Sequence, residues 1–354
     1  MAVSAIVRSV PSPNLKRMIC GTRRGESVMW ASRIGAVWSG FDQPAWILLG
    51  AVLDLVLGDP FWRYHPLNLV SFGAERLCNP IRERGPLASV FWLSVVSLTV
   101  FGTITALLVT MDWLSVWLFR AGIVVFTFWG LPIRSVVLKS LAVYHNLVIG
   151  RTNESREELS RVAGRPTGTL SPRDLIKTTV ESVADNLGQA IVAPLFFALI
   201  GGPAFLWLYK AIAALDGVAE KGHRRGEYPY RIAHAVHQVT RALPEALTSW
   251  AIMAVAATEG RFWSTWESVR SSPSPGSVWR FGHSQAAMAG ALGIRLGGAR
   301  MTNGVLALAR PVGRTERNLD PSMILMAVSL MIRVTVLVSI VGGILLVMIT
   351  GRWL

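Results

Sequence analysis

TTVESVADNLGQAIVAPLFF, residues 178–197, sets two carboxylates and an amide against an apolar run of membrane length. Glu181 and Asp185 are four residues apart, so a helix carries them on one face. No charged residue follows from Leu187 to Tyr209. About 20 apolar residues cross the hydrocarbon core of a bilayer, so this stretch predicts a membrane helix with acids at its edge. An unpaired charge is costly there, which makes the pair a functional candidate. In a soluble protein the same residues, extended back to Lys177, would read as a solvated ion-pair face.

Composition supports the membrane reading. The 354-residue chain is 52% hydrophobic and 16% charged, whereas soluble domains are closer to a quarter charged. Its net charge of +14 does not point to nucleic acid, because the Arg and Lys are scattered between apolar segments. Such an excess fits basic loops retained on the cytoplasmic side of the inner membrane. Several Trp near segment ends (Trp46, Trp113, Trp207, Trp250 and Trp353) suit interfacial belts or core packing. Cys20 and Cys78 form neither a disulfide framework nor a metal-ligand spacing.

Residues 1–40 hold six Arg and Lys against the single acid Glu26 and are expected to be a disordered extension without the apolar core of a signal peptide. Residues 41–354 are expected to form one helical membrane domain. Leu87–Thr110, Trp113–Pro132 with Arg120 embedded, Leu187–Tyr209, and Met323–Ile349 interrupted by Arg333 read as spans. Pro44–Leu57, which carries Asp54, and Ala246–Thr258 are shorter. The fold expected is all-α and polytopic, with four to six spans, since lipid offers no partners to open backbone. Residues 133–186 read as amphipathic helices broken near Gly164–Thr169. Residues 210–245 read as a polar region, and 260–322 as a loop with the turn SSPSPGS.

Several motifs set polar groups against apolar surface. In DLVLGDPFWRYHP, Asp54 to Pro66, the Asp-Pro turn fixes the Asp59 carboxylate for metal or simply caps a turn. Lys210 and Asp216 follow the 187–209 run, and Lys210 also suits an interfacial anchor. His234 and His237, with His223 and Glu227 nearby, have loose metal-ligand spacing but equally suit solvated loop histidines. No Walker, dinucleotide-binding or nucleophile-elbow motif occurs.

Taken together, these motifs resemble the membrane-bound adenosylcobinamide-phosphate synthases of cobalamin biosynthesis, the CbiB/CobD proteins. The family's D-x-x-x-G-D-P then H-P is matched by Asp54, Gly58, Asp59, Pro60, His65 and Pro66. Its V-E-S-V-A-E-N and V-A-P-L-F are matched by Val180–Asn186, with Asp185 for Glu, and by Val192–Phe196. Its Y-K-A-x-x-x-L-D is matched by Tyr209, Lys210, Ala211, Leu215 and Asp216. P-S-P at 273–275 precedes A-A-M-A-G-A-L-G-x-R-L-G-G at Ala286–Gly298. The resemblance implies ATP-dependent joining of aminopropanol phosphate to a carboxylate of adenosylcobyric acid. It implies Mg2+ held by Asp59, Glu181 and Asp185, and phosphate contacts from Lys210 and Arg295. Asn186 and Asp216 would orient groups, and His65 would touch substrate. Other cobalamin-pathway enzymes are possible partners.

The chain also departs from the family pattern. Gln189 stands at a family Asp, His237-Gln238 at a paired Asp-Asp, and Gln285 at a Glu. Ala190, Ala213-Ala214 and Gly276 also differ, and EKGHRRG replaces a family Y-K-N. An amide keeps the shape of a carboxylate but lacks the charge a magnesium ion needs. These losses raise a rival reading, a non-catalytic or re-purposed paralogue that binds a corrinoid or pathway partners. Arg120 and Arg333 inside spans raise a third, a transporter, without the repeat symmetry that would accompany it.

Overall fold

The computed structural model describes residues 44–58, 66–78, 85–163, 167–222, 228–272, 284–302, 305–314 and 317–350. The N-terminal extension, Asp59, His65, His223, Glu227, Trp353 and the Pro/Ser turn at 273–277 lie outside them. The helices are α1 (Pro44–Leu57), α2 (Pro66–Cys78), α3 (Pro86–Leu114), α4 (Val116–Gly130), α5 (Ile133–Val148), α6 (Thr152–Ala163) and α7 (Pro172–Asp185). A π-helical segment, Asn186–Val192, joins α7 to α8 (Ala193–Gly222). Then come α9 (Tyr228–Ala257), α10 (Phe262–Ser271), α11 (Ser284–Leu292), a hairpin of β1 (Leu296–Thr302) and β2 (Val305–Val312), and α12 (Ser322–Thr350).

Four helical stretches are long and apolar enough to cross a membrane: Pro86–Leu114, Val116–Val148, Pro172–Val218 and Ser322–Ile349. The protein is therefore an all-α polytopic membrane protein bearing one small hairpin. Large apolar side chains such as Phe91, Leu98, Ile344 and Ile349 lie exposed on α3 and α12, as lipid-facing residues do. The interior packs around Ile47, Leu108, Leu187, Leu206, Ile252 and Ile324. Small residues bring helices close, as in other membrane bundles. A Cβ on Gly50 would stand 2.8 Å from Thr127 Cβ, and one on Gly290 would stand 2.6 Å from Thr265 Cα. The second contact gives the Gly of the A-A-M-A-G motif a packing role between α10 and α11.

Intramembrane charges find partners. Asp54 is fully buried, and its Oδ2 accepts the N–H groups of Ile133 at 2.6 Å and Arg134 at 3.3 Å. It thus caps the start of α5, where the helix leaves amide donors unsatisfied. The Arg120 guanidinium lies over the rings of Trp46 at 5.3 Å and Trp117 at 4.9 Å, a cation–π cage for a charge in an apolar helix. Trp46, read as a belt residue, serves here as half of that cage. Arg333 pairs with Glu259 at 2.6 Å.

Three expectations change. The run 187–209 is no straight helix: Gly201 and Gly202 leave helical geometry ahead of Pro203, and Gly202 takes φ +69°. The described residues of 260–322 form α10, α11, the hairpin and the start of α12 rather than a loop. Ala246–Thr258 is the end of the 30-residue helix α9, which also takes in much of the polar region 210–245. From His237 to Trp250 that helix is turned inside out relative to soluble helices. His237, Glu245, Thr248 and Ser249 are buried, whereas Val239, Leu243, Leu247 and Trp250 are exposed.

Candidate functional site

The polar side chains converge where the π-helical segment, α7, α8, α9, α11 and β1 meet. Extra-wide turns of this kind are frequent at functional sites. The register of the hairpin shifts between Leu296 and Gly298, and Gly297 takes φ +72°. Such a bulge frees a backbone group from the ladder. The Gly297 N–H instead donates to Glu181 Oε1 at 2.8 Å. One turn further along α7, both Asp185 oxygens accept from Gln285 Nε2 on α11, each at 2.8 Å. Glu181 and Asp185 therefore share a face, as their spacing predicts, and both grip the segment from Gln285 to Gly297.

Glu245 on α9 adds a third acid beside Asp185. Burial pushes its carboxyl up to about 7, and the charge of Asp185 pushes the same way. Arg241, 3.5 Å away, and a hydrogen bond from the Gln189 side chain act in the opposite direction.

A hydrogen-bonded circuit leads away from Glu245. Arg241 Nη2 donates to Gln238 Oε1 at 3.0 Å, and Gln238 Nε2 lies 3.1 Å from His234 Nε2. His234 Nδ1 faces Asp216 at 3.3 Å, and His237 Nδ1 faces the same carboxylate at 2.7 Å. Tyr209 lies beside His237 and donates its hydroxyl to the Gln189 carbonyl at 3.0 Å, which closes the ring at Glu245. The polarity is self-consistent: each histidine donates from Nδ1 to Asp216 and keeps its lone pair on Nε2.

Of the residues singled out from sequence, Glu181 and Asp185 stand together, with Arg295 exposed two residues before Gly297. Arg295 makes no hydrogen bond or ion pair among the described residues. Asn186 turns its amide back to the Ser182 carbonyl at 2.7 Å, so its bond is local to the helix. Asp216 belongs to the histidine end of the circuit. Lys210 is buried on α8, about 100° around the helix from Tyr209. Asp59 and His65 lie outside the described residues. His234 and His237 are helical residues facing Asp216, not loop histidines. No three His, Cys, Asp or Glu groups gather in metal-holding geometry among the described residues.

Sequence reasoning missed Glu245, Arg241 and the Tyr209 hydroxyl. One signal was available: Glu245 is the sole acid between Glu227 and Glu259, four residues after Arg241. In the sequence, the glutamines at 189, 238 and 285 keep a carboxylate's shape and hydrogen bonding and lose its charge. Each in fact hydrogen-bonds to an acid or to an acid's partner.

Fold and site together define a multi-pass helical membrane protein with a half-buried carboxylate–amide centre. A family model described as CobD/Cbib protein matches residues 47–331, and the chain belongs to that family. Among its relatives, the cobalamin biosynthesis protein CobD of Klebsiella pneumoniae is 32% identical over 260 residues, covering 70% of this chain and 80% of its own. CobD of Streptococcus sanguinis is 27% identical over 303 residues, 80% of this chain and 92% of its own. CbiB of Salmonella arizonae is 30% identical over 294 residues, 79% and 90%. No solved structure matches the chain.

Proposed function

We propose that this protein acts in cobalamin biosynthesis as an acid–amine ligase of the adenosylcobinamide-phosphate synthase type in the cytoplasmic membrane. It would join aminopropanol phosphate to a carboxylate of adenosylcobyric acid with ATP. The observation that carries the reading is the convergence of Asp185, Glu245, Gln189, Gln285 and Arg241 on the π-helical segment. Acids, amide donors and one guanidinium there suit a substrate bearing both ammonium and phosphate.

The donor set also fits a magnesium ion. Mg2+ is commonly held by one or two carboxylates together with substrate phosphates and water. Asp185 presents its carboxylate beside Glu245 on the same segment. Glu245, kept partly protonated by burial, would ionise beside a cation. Asp185 and Glu245 are therefore the ligands assigned here. Glu181 accepts the Gly297 N–H and suits fixing Gly297 and the adjoining Arg295; Asp59, outside the described residues, is the further ligand that the family resemblance implies. When bound, Mg2+ would offset charge on the nucleotide phosphates. Lys210 and Arg295 are assigned phosphate contacts, His65 a substrate contact, and Asn186 and Asp216 orientation of their neighbours.

The test is amide formation in membranes supplied with adenosylcobyric acid, aminopropanol phosphate and Mg-ATP. Asp185→Asn and Glu245→Gln are each expected to cut turnover at least 100-fold, in line with loss of an electrostatic catalytic group. Unchanged turnover in both removes them from the chemistry. A second reading, a corrinoid-binding paralogue without turnover, is favoured by Gln285 engaging both Asp185 oxygens. Corrinoid binding without complementation of a synthase-deficient strain would select it.

A further inference from the structure

We propose that His237 Nε2, reached through the Tyr209 hydroxyl and held in place by Asp216, accepts the proton released by the amine nucleophile. The inference rests on the ligase reading. The 2.7 Å contact of His237 Nδ1 with Asp216 Oδ2 puts the ring proton on Nδ1 and the lone pair on Nε2. Among the described residues the polar atom facing that lone pair is the Tyr209 hydroxyl, 3.5 Å away, and its proton is directed at the Gln189 carbonyl. The base is thus oriented by a carboxylate yet lacks a close donor, the arrangement that activates an imidazole elsewhere. Tyr209 is held by stacking on Phe197 with ring centroids 5.1 Å apart, so rotation of its hydroxyl is the motion left to it. That hydroxyl leads from His237 to Gln189, whose side chain bonds Glu245 on the acid side of the site. The charged and titratable groups around the relay are Asp216 and Tyr209 from α8 and His234, Arg241 and Glu245 from α9.

An ammonium ion is not a nucleophile. In the proposed step R–NH3+ gives one proton to Tyr209 Oη as the tyrosine's own proton passes to His237 Nε2, and Asp216 balances the imidazolium. The free amine then attacks the acyl phosphate formed from the corrinoid carboxylate and ATP. The C–N bond forms, the C–O bond to phosphate breaks, and the second amine proton leaves with phosphate as HPO4 2−.

The test compares two nucleophiles, using the full-length protein in membranes with adenosylcobyric acid and Mg-ATP. Aminopropanol phosphate arrives as an ammonium, whereas hydroxylamine is neutral at pH 7 and needs no base. His237→Ala is expected to lose amide formation by roughly 100-fold or more while keeping hydroxamate formation within about threefold. Tyr209→Phe should shift the same ratio in the same direction. Equal loss of both products in His237→Ala and in His237→Gln, or amide formation at the wild-type rate, overturns the relay and leaves the ligase reading standing. Wild-type protein that makes neither product overturns the ligase reading, and the relay with it.

Discussion

Gln285→Glu probes the contact between the amide and the half-buried Asp185 most directly. In the native protein one NH2 group donates to both oxygens of Asp185 at 2.8 Å. Hydrogen bonds to charged groups contribute about 1.5–3 kcal/mol each, and a single amide sharing its donors between two oxygens supplies something near one such bond. The substitution removes that bond and sets two carboxylates face to face. At about 4 Å and an effective dielectric of 20, their repulsion approaches 4 kcal/mol. Uptake of a proton by the pair caps this cost at low pH, because like charges so close cannot both ionise cheaply. The expected penalty is therefore about 3–5 kcal/mol at pH 8 and clearly less at pH 5. Detergent-solubilised protein, followed by tryptophan fluorescence, should show an apparent melting temperature lowered by on the order of 5–10 °C at pH 8. Millimolar Mg2+ should recover part of the loss in the variant, because the new carboxylate adds a third acid beside Asp185 and Glu245 for a cation to neutralise. Gln285→Leu, which deletes the donor without adding charge, should cost about 1–3 kcal/mol and show no such Mg2+ recovery. A variant as stable as wild type at pH 8 without divalent ions would mean that Gln285 and Asp185 do not touch.

Three further outcomes follow from other contacts. Glu245 titrates at about 7 in the folded protein against an ordinary 4.5, so between these pH values the native state holds a proton that the unfolded chain has released. Stability from this group is complete below pH 4.5 and falls as pH rises through 7, by up to about 3 kcal/mol. Glu245→Gln should therefore gain on wild type in melting temperature from pH 5 to pH 8; parallel curves would remove the burial effect. Asp54→Ala should cost at least about 1–2 kcal/mol through lost capping of α5, read as a lowered melting temperature and faster hydrogen exchange at Ile133 and Arg134. Gly290→Ala drives a methyl against the Thr265 backbone and should cost about 1–3 kcal/mol or more, whereas Gly217→Ala, whose Cβ meets nothing within 4 Å, should be tolerated.

The spans are legible in the sequence because bilayer thickness fixes their length and lipid fixes their composition, and those two quantities survive without any knowledge of packing. Arg120 and Arg333 stand out for the same reason, although their partners, Trp46 and Glu259, could not be read. The helix α9 is hidden by the same physics working in reverse. Its His, Arg and Glu suggest a polar loop to anyone expecting polar residues to face outward, yet over His237–Trp250 the polar face of this helix turns inward and its apolar face outward. The hairpin is hidden because Leu296 to Val312 is short and rich in glycine and arginine. What it contributes is one backbone N–H at a bulge, which no side-chain pattern announces.

The glutamines carry the wider argument. In the sequence, an acid replaced by an amide registers as charge removed, because a motif describes one position at a time. The partners lie far apart in the chain: Asp185 is 100 residues from Gln285, and Glu181 is 116 from Gly297. Once they meet, loss of charge and gain of a donor become a single change. Gln285 offers Asp185, and Gln189 offers Glu245, a hydrogen bond that another carboxylate could give only by holding a proton. Gln238 bridges His234 and Arg241 in the same way. A buried group of acids would otherwise need protons or cations to coexist. Amides at these positions supply donors to Asp185 and Glu245 while Arg241 stays shared between Glu245 and Gln238. The substitutions are coupled by this circuit, so they should fail singly more often than together. Gln189→Asp alone should weaken the site, because it sets an acid against Glu245 while Gln238 and Gln285 still supply donors suited to fewer charges.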